Sequence, residues 1–385
     1  MSLVQEILSK LVSFPVLGGE PNLAIIEYIE HFLSEKGVES HRVYNNEKTK
    51  ASLHARIGPA VDGGIILSGH TDVVPVEGQE WTSDPFKLID KGDGKLYARG
   101  SADMKGFLAC CLANIDLLIG LDLKKPIYLA FSYDEEIGCL GAPDLVEAIN
   151  QHYSEKPKYA IIGEPSMLQP INGQKGICIF QTQVNGSAGH SSRIKQEVSA
   201  IHESMRLVLW LEEKMNRLIA DGFTDDRFTP NHTSIHIGKL NGGIAPNVIA
   251  DQCIFTWDVR SIPGETPQQI FEEFQLYCHE REAILRNTFP DFAIKTHPLH
   301  PAVPGLDTPE DSDVIRFIKE MSGEQELLTV SYAAEAGQFA EGGFESVICG
   351  PGDILQAHRA DEFIAKEQLE KGVEFIARIG NYLSE

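Results

Sequence analysis

The sequence lacks three features that would each point to a particular class of protein. It has seven cysteines but no C-x-x-C pair, and such a scattered, odd number is typical of reduced thiols rather than of a disulfide framework. Basic residues are scarce: 33 Lys and Arg against 56 Asp and Glu give a net charge of −23, which disfavours nucleic acid and anionic membranes as partners. No apolar run is long enough to span a bilayer, and the N-terminus has no signal-peptide core. We therefore expect a cytoplasmic protein.

The chain of 385 residues is long enough for two domains. Apolar strand segments such as residues 63–74 and 158–165 alternate with helical segments, which predicts a mostly parallel sheet with helices on both faces. After about residue 175 the order becomes β-α-β-β-α-β, as in a ferredoxin-like α+β domain. The sequence therefore predicts an α/β catalytic domain formed by residues 1–174 and 305–385, with residues 175–304 inserted into it.

Possible metal ligands follow the apolar segments of the larger domain. They are His70 and Asp72 in "LSGHTD", Asp103 in "YARGSADMKG", Glu135 and Glu136 in "SYDEE", Glu164 in "IIGEP", and His358 in "GPGDILQAHRADE". Taken singly, each motif has a simpler explanation: a structural histidine, a solvated acidic loop or a common turn. Because all of them come at the ends of strands in one predicted sheet, where such sheets place their chemistry, the set favours a metal site.

The spacing of these residues suggests different roles. His70 and Asp72 are two residues apart, so on a strand they face the same way, and the Asp72 carboxylate can accept the imidazole N–H and orient the other ring nitrogen. Glu135 and Glu136 are adjacent, so their side chains diverge. One of them can bind a metal ion while the other, Glu135, faces a bound water as a general base.

The charges favour two metal ions rather than one. Asp103, Glu136 and Glu164 as ligands contribute −3, while two divalent cations and a bridging hydroxide contribute +4 and −1, so that the cluster is neutral. One divalent cation would leave it strongly negative. Mixed histidine and carboxylate ligation suits Zn²⁺, Co²⁺ or Mn²⁺.

These motifs resemble the M20 family of co-catalytic metallohydrolases. "SGHTDVVP", "LYARGSADMKGFLA", "DEEIGCLGA", "GEP" and "AHRADEF" occur in the expected order over nearly the whole chain. The resemblance implies two metal ions, Zn²⁺ first and Co²⁺ as the alternative, and a homodimer. It implies that one metal is bound by His70, Asp103 and Glu164 and the other by Asp103, Glu136 and His358, with Asp72 orienting His70, Glu135 as the base, and a cis peptide bond after Asp103.

The resemblance also assigns roles in the inserted domain, which it identifies as a lid and dimerisation domain. "NGSAGHSSR" makes His190 a candidate to stabilise the oxyanion, acting in its own chain or from a partner subunit. "GGIAPNVIADQC" and "WDVRSIPGE" make Asn247 and Arg260 candidates to bind substrate. A guanidinium suits the α-carboxylate of an amino acid. Without the resemblance, His190 would be interpreted as a turn residue and Arg260 as part of a surface ion pair.

The activity that the resemblance implies is hydrolysis of the acetamide of N2-acetyl-L-ornithine, a small N-acyl amino acid, to L-ornithine and acetate in arginine biosynthesis. Desuccinylation of a diaminopimelate precursor, or aminoacylase, dipeptidase or carboxypeptidase activity, remains the alternative. A non-catalytic binding module is disfavoured because the base and all five ligands are present. Glu335 is a further candidate for substrate contact, with a solvated loop acid as its alternative.

Overall fold

A computed structural model describes residues 1–385, and the chain divides into two compact units. The first consists of Met1–Gly173, Leu306–Thr329 and Ala334–Glu385, and the second of Gln174–Gly305 and Val330–Ala333. No helix combines the length and the apolar composition needed to span a membrane.

The chain forms ten α-helices and eighteen strands, with short 3₁₀ turns at Ser191–Arg193 and Ile354–Gln356. The helices are α1 (Leu3–Val12), α2 (Leu23–Glu35), α3 (Lys105–Ala113), α4 (Ile115–Gly120), α5 (Ala142–His152), α6 (Ala200–Ala220), α7 (Pro267–Leu285), α8 (Asp313–Ser322), α9 (Ala336–Glu341) and α10 (Lys366–Tyr382). The strands are β1 (Ser40–Tyr44), β2 (Ala51–Ile57), β3 (Ile65–His70), β4 (Ile89–Asp90), β5 (Lys95–Tyr97), β6 (Ile127–Ser132), β7 (Tyr159–Pro165), β8 (Ile171–Gln174), β9 (Gly176–Asn185), β10 (Gly189–His190), β11 (Ser234–Gly242), β12 (Val248–Ile249), β13 (Gln252–Ser261), β14 (Ala293–Pro298), β15 (Leu306–Asp307), β16 (Leu328–Val330), β17 (Glu345–Gly350) and β18 (Phe363–Ala365).

The main sheet of the first unit has the order β1-β2-β6-β3-β7-β17-β8-β15, with β16 paired to β8. Its four central strands, β6, β3, β7 and β17, are parallel. His70 pairs with Ser132, and Pro165 pairs with Gly350. Neighbouring strands therefore end level with each other, and the segments that follow them emerge at one edge of the sheet, as parallel strands require.

Both faces of this sheet are buried, which explains why its strands are continuously apolar. On β3, Ile65 and Leu67 belong to the core formed with α1, α2, α3, α8 and α10. The alternate residues Ile66 and Ser68 point to the opposite face and are fully buried as well. There α5 and α9 contact the neighbouring strands. The predicted α/β class with a mostly parallel sheet is confirmed.

One part of the strand-end prediction is wrong. Asp103 does not follow a strand of the main sheet, since β5 belongs to a separate three-stranded antiparallel sheet with the order β18-β5-β4. The chain turns after β5 and enters α3 through Asp103, which is followed by a cis peptide bond to Met104. The sequence pattern could not separate the two sheets because β5 is only three residues long.

The second unit has the order β-α-β-β-α-β that the sequence predicts. Its antiparallel sheet runs β11-β13-β9-β14, which is the ferredoxin-like strand order. Buried and partly exposed residues alternate along β9 and β13. The buried side pairs Phe180 with Trp257, whose ring centroids are 4.4 Å apart, and Phe274 meets Trp257 edge to face at 5.0 Å. These aromatic side chains form the core beneath α6 and α7.

Candidate metal centre

The carboxyl edge of the main sheet gathers acidic side chains from segments far apart in the sequence. His70 ends β3, Glu164 is the penultimate residue of β7, and Glu135 and Glu136 follow β6. The ligand atoms of His70, Asp103 and Glu136 lie within 4.8 Å of one another, as do those of His70, Glu135 and Glu164. The predicted ligands of the first unit therefore meet in one place.

Asp103 lies between two histidines. Its Oδ1 is 3.1 Å from Nε2 of His70, and its Oδ2 is 3.3 Å from Nε2 of His358. The same nitrogen of His358 is 3.0 Å from Oε2 of Glu136. Each oxygen of one carboxylate thus faces a different imidazole, which is the arrangement expected of a carboxylate shared by two metal positions.

The contact between His70 and Asp72 differs from the expected one. Nδ1 of His70 is 2.9 Å from the backbone oxygen of Asp72 and 3.7 Å from its carboxylate. The Asp72 carboxylate instead accepts the backbone N–H groups of Glu135 at 3.1 Å and of Glu136 at 3.2 Å. His70 is therefore oriented through the main chain, because the side chain of Asp72 is engaged by the acidic turn.

The three consecutive acids have separate environments. Asp134 is buried and forms an ion pair with Lys50, and it also accepts the backbone N–H of Gly19 at 2.8 Å. Glu135 and Glu136 point towards the histidines instead. Their side chains are only 10% and 5% exposed, so a solvated acidic loop is excluded.

Glu164 is placed by a close approach of two elements. The preceding residue, Gly163, lies against the ring of Phe107 in α3, where an added Cβ would be 2.1 Å from the nearest ring atom. Only glycine fits there, so the G-E-P motif allows α3 to pack directly under the end of β7. Glu164 itself is buried, with Oε1 4.0 Å from Nε2 of His70.

The buried acids perturb one another strongly. Burial, with the neighbouring carboxylates, raises the pKa of Glu135 and Glu164 well above the usual value and that of Glu136 to about 7. Hydrogen bonds to Asp103 and Glu136 raise the pKa of His358 to about 10. Burial opposes ionisation of Asp103, but the contacts with His358 and His70 hold its pKa below the usual range.

These residues fit divalent metal ions. Four carboxylates surround the imidazoles of His70 and His358. Two imidazoles, even when protonated, cannot neutralise four negative charges. Unpaired buried charges are costly, so without metal the protein must retain protons on these groups. Divalent cations replace such protons on binding, and carboxylate oxygens with imidazole nitrogens are a ligand set suited to Zn²⁺ or Co²⁺.

Two of the predicted residues of the second unit lie side by side. His190 and Val248 pair across β10 and β12, and the backbone N–H of Ser191 donates to the carbonyl of Asn247 at 3.0 Å. Nδ1 of His190 accepts the backbone N–H of Ser192 at 3.3 Å. The same nitrogen lies 2.8 Å from the hydroxyl of Ser192. With Nδ1 accepting both bonds, the ring proton of neutral His190 is assigned to Nε2, an exposed N–H donor.

Arg260 lies on β13 and is partly exposed. Its Nε is 3.6 Å from Oδ1 of Asp258, two residues earlier on the same face of the strand. The surface ion pair that the sequence left open is therefore present. A single contact at this distance leaves the paired terminal nitrogens of the guanidinium free to bind a carboxylate.

Several residues around the site were not predicted from the sequence, and one of the two alternatives for Glu335 is excluded. Glu335 is not a solvated loop acid, since it is 1% exposed and accepts a hydrogen bond from Ser68 at 3.2 Å. Lys50 carried no sequence signal. Arg99 and Glu362 form a buried ion pair at 2.8 Å beside Asp103. Arg99 lies in the motif that contains Asp103, and Glu362 lies in the motif that contains His358. Their proximity in sequence to these ligands is the signal that could have identified them.

An edge of an α/β sheet that is lined by carboxylates and histidines is typical of metal-dependent hydrolases. Comparison with known proteins indicates the same class. Residues 66–381 match the model of Peptidase family M20/M25/M40. The chain belongs to this family.

Curated relatives cover nearly the whole chain. Acetylornithine deacetylase of Myxococcus xanthus is 35% identical over 376 residues, which are 96% of this chain and 95% of the relative. Acetylornithine deacetylase of Proteus mirabilis is 32% identical over 385 residues, 97% and 95% of the two chains.

Solved structures share the fold at lower identity. An M20 family metallo-carboxypeptidase of Sulfolobus solfataricus superposes with a TM-score of 0.77 at 18% identity over 100% of both chains. A dinuclear metal-binding peptidase of the M20 family from Bacillus subtilis superposes with a TM-score of 0.63 at 16% identity, covering 98% of this chain and 96% of the other.

Proposed function

We propose that the chain is an acetylornithine deacetylase, which hydrolyses N2-acetyl-L-ornithine to L-ornithine and acetate at a centre of two divalent metal ions. The observation that carries the proposal is the position of Asp103, with one carboxylate oxygen facing His70 and the other facing His358. One metal would be bound by His70, Asp103 and Glu164, and the other by Asp103, Glu136 and His358. Relatives named for this activity, 30–35% identical to the chain, support the choice of substrate.

Bound divalent ions would supply Lewis acidity and would lower the pKa of a water molecule. Glu135 is proposed as the base that takes the proton from this water and passes it to the leaving amine. Its side chain is nearly buried, with Oε2 3.9 Å from Nε2 of His70, and its backbone N–H is bound by Asp72. Asp72 therefore acts as a positioning residue for the base.

The proposed substrate contacts come from the second unit. The Nε2–H of His190 is suited to stabilise the oxyanion, because Ser192 occupies the other ring nitrogen. Arg260 is proposed to bind the α-carboxylate and Asn247 to hydrogen-bond the substrate. We further propose that this unit serves as a lid and in dimerisation. The enzyme is then a homodimer. We also propose that it is cytoplasmic and that its metal is Zn²⁺.

A substrate panel tests the proposal. Purified protein loaded with Zn²⁺ or Co²⁺ is assayed on N2-acetyl-L-ornithine, N-succinyl-diaminopimelate and a dipeptide, with kcat/KM as the measure. We expect a clear preference for acetylornithine and loss of activity with a chelator. A preference for either of the other two substrates would refute the specificity while leaving the metallohydrolase intact, and full activity after removal of metal would refute both.

A further inference from the structure

Glu362 is a fully buried carboxylate outside the proposed ligand sets. It is 1% exposed, and its two oxygens accept four hydrogen bonds. Oε2 accepts from Nη1 of Arg99 at 2.8 Å and from the backbone N–H of Gly100 at 3.0 Å. Oε1 accepts from the backbone N–H groups of Ala102 at 2.9 Å and of Asp103 at 3.1 Å. Glu362 therefore fixes the turn that presents Asp103.

Arg99 extends this network to the other side of the site. It is also 1% exposed, and its Nη2 donates to Oε1 of Gln79 at 2.5 Å. Nε2 of Gln79 in turn donates to the backbone oxygen of His358 at 2.9 Å, and Nη1 of Arg99 donates to the backbone oxygen of Arg359 at 3.2 Å. The same ion pair thus supports the backbone that carries His358.

The backbone of His358 needs such support. Its φ of +61° lies in the left-handed region, which residues with a side chain adopt rarely and at some cost in energy. The side chain of His358 is 57% exposed, so packing around the ring cannot fix its direction. The ring contacts the carboxylates of Asp103 and Glu136, and hydrogen bonds to the main chain fix the backbone from which the ring projects.

Strand pairing explains why two segments so distant in sequence meet here. Phe363 of β18 pairs with Tyr97 of β5, and the backbone N–H of Ala98 donates to the backbone oxygen of Glu362 at 3.1 Å. The segment leading from β5 to Asp103 therefore runs beside the segment that joins His358 to β18. Arg99 and Glu362 lie at this junction.

We propose that Arg99 and Glu362 form a positioning pair that sets the affinity of the second metal position, the one assigned to Asp103, Glu136 and His358. The inference rests on the dinuclear centre of the proposed function. We expect the pair to affect the second metal position more than the first, because the ligands of the first position are held by other contacts. His70 is held by β3 and by the backbone oxygen of Asp72, and Glu164 lies within β7. Only Asp103 is common to both positions.

Stepwise metal binding tests this inference without any substrate. Zn²⁺ is removed with a chelator and its two equivalents are titrated back by calorimetry, in the native protein and in Glu362→Gln. We assign the first equivalent to the more buried position of His70, Asp103 and Glu164 and the second to the position that includes the exposed His358. Glutamine offers one acceptor oxygen instead of two, so the turn before Asp103 loses bonds. We expect the second equivalent to bind about 10–100-fold more weakly, which is the usual loss of affinity when a partner of a metal ligand is altered. The affinity for the first equivalent should change by less than about threefold.

Glu155→Gln is the matched control. Glu155 is 6% exposed and pairs with Arg56, whose side chain is 32% exposed, in the same unit, so this variant also removes the charge of a buried carboxylate that is paired with an arginine. It should lower thermal stability without changing either metal affinity. If Glu155→Gln weakens the second equivalent as much as Glu362→Gln does, the role of Glu362 is only structural and the proposal fails.

A milder variant keeps the proposal testable if Glu362→Gln does not fold. Gln79→Ala removes the link to the backbone of His358 from a half-buried position and leaves the buried pair intact. It should weaken the second equivalent by about tenfold. Unchanged binding of both equivalents in Gln79→Ala, or an equal loss of both in Glu362→Gln, would overturn the proposal. A native protein that binds a single equivalent would instead refute the dinuclear centre itself.

Discussion

The carboxylate of Asp72 accepts the backbone N–H of Glu135 at 3.1 Å. Asp72 is fully buried, and it follows β3, whereas Glu135 follows the neighbouring strand β6. A hydrogen bond from a main-chain N–H to a buried carboxylate is strong, so the end of one strand determines where the proposed base of the next strand lies. The side chain of Asp72 controls the base more directly than it controls His70.

Replacing Asp72 by asparagine should therefore damage catalysis more than metal binding. An amide has one acceptor oxygen, so the backbone N–H of either Glu135 or Glu136 would face a donor instead. We expect kcat to fall about 10–100-fold, as for other partners of metal-site residues, with both metal ions retained. Steady-state kinetics and metal analysis on the same sample measure the two effects. A loss of metal in proportion to activity would show that Asp72 acts through His70 instead.

Glu135 and Glu136 provide a matched pair of variants, because they are adjacent and both nearly buried. Glu135→Gln should retain two metal ions and lower kcat by about 10²–10⁴-fold, the usual contribution of a general base. Glu136→Gln should lose the second metal. This variant distinguishes a base from a ligand, because a carboxylate oxygen of Glu135 lies as close to the ligand atoms of His70 and Glu164 as a metal ligand would. Loss of the first metal from Glu135→Gln would make Glu135 a ligand rather than the base.

The sequence predicted which residues meet at the main sheet but not what holds them there. His70, Glu136 and Glu164 follow or end buried parallel strands, and strand ends are recognisable from apolar runs. Asp103 was found from its motif, although its strand belongs to another sheet. The partner of Asp134 could not be predicted, because Lys50 lies 84 residues away and only tertiary packing brings them together.

The ion pair between Lys50 and Asp134 should be important for stability. Their side chains are 12% and 4% exposed, so Lys50→Met leaves a carboxylate buried without a cation. Breaking a buried pair in this way costs about 3–5 kcal/mol of the free energy of unfolding, which denaturant titration measures. The control is Lys371→Met, which removes an exposed pair with Glu367 and should leave stability nearly unchanged, because solvent screens exposed pairs. Equal effects of the two variants would contradict this account.

His190 and Arg260 should affect different kinetic constants. His190→Ala removes the proposed donor to the oxyanion, so kcat should fall about 10²–10³-fold with little change in KM. Arg260→Met removes a contact that is equal in the ground and transition states, so KM should rise with kcat nearly unchanged. Metal content should be unaffected in both variants. If His190→Ala changes KM alone, this residue binds the substrate rather than the transition state.

Removal of metal should make stability strongly dependent on pH. In the metal-free protein, burial raises the pKa of Glu135 and Glu164, and that of Glu136 to about 7 from 4.5, while contacts with Asp103 and Glu136 raise that of His358 to about 10 from 6.5. A raised pKa means that the folded protein binds more protons than the unfolded chain, so stability falls as pH increases. For the carboxyl groups the loss begins above about pH 4.5, and for His358 above about pH 6.5.

Bound metal removes this penalty because the cations take the place of the protons. The difference in Tm between metal-loaded and chelator-treated protein should therefore be small near pH 5 and should widen steadily towards pH 8. Glu136→Gln supplies the control, since it removes one of the raised carboxyl groups and should flatten the curve of the metal-free protein. A difference in Tm that stays constant across this range would mean that the buried acids are not held together by metal ions.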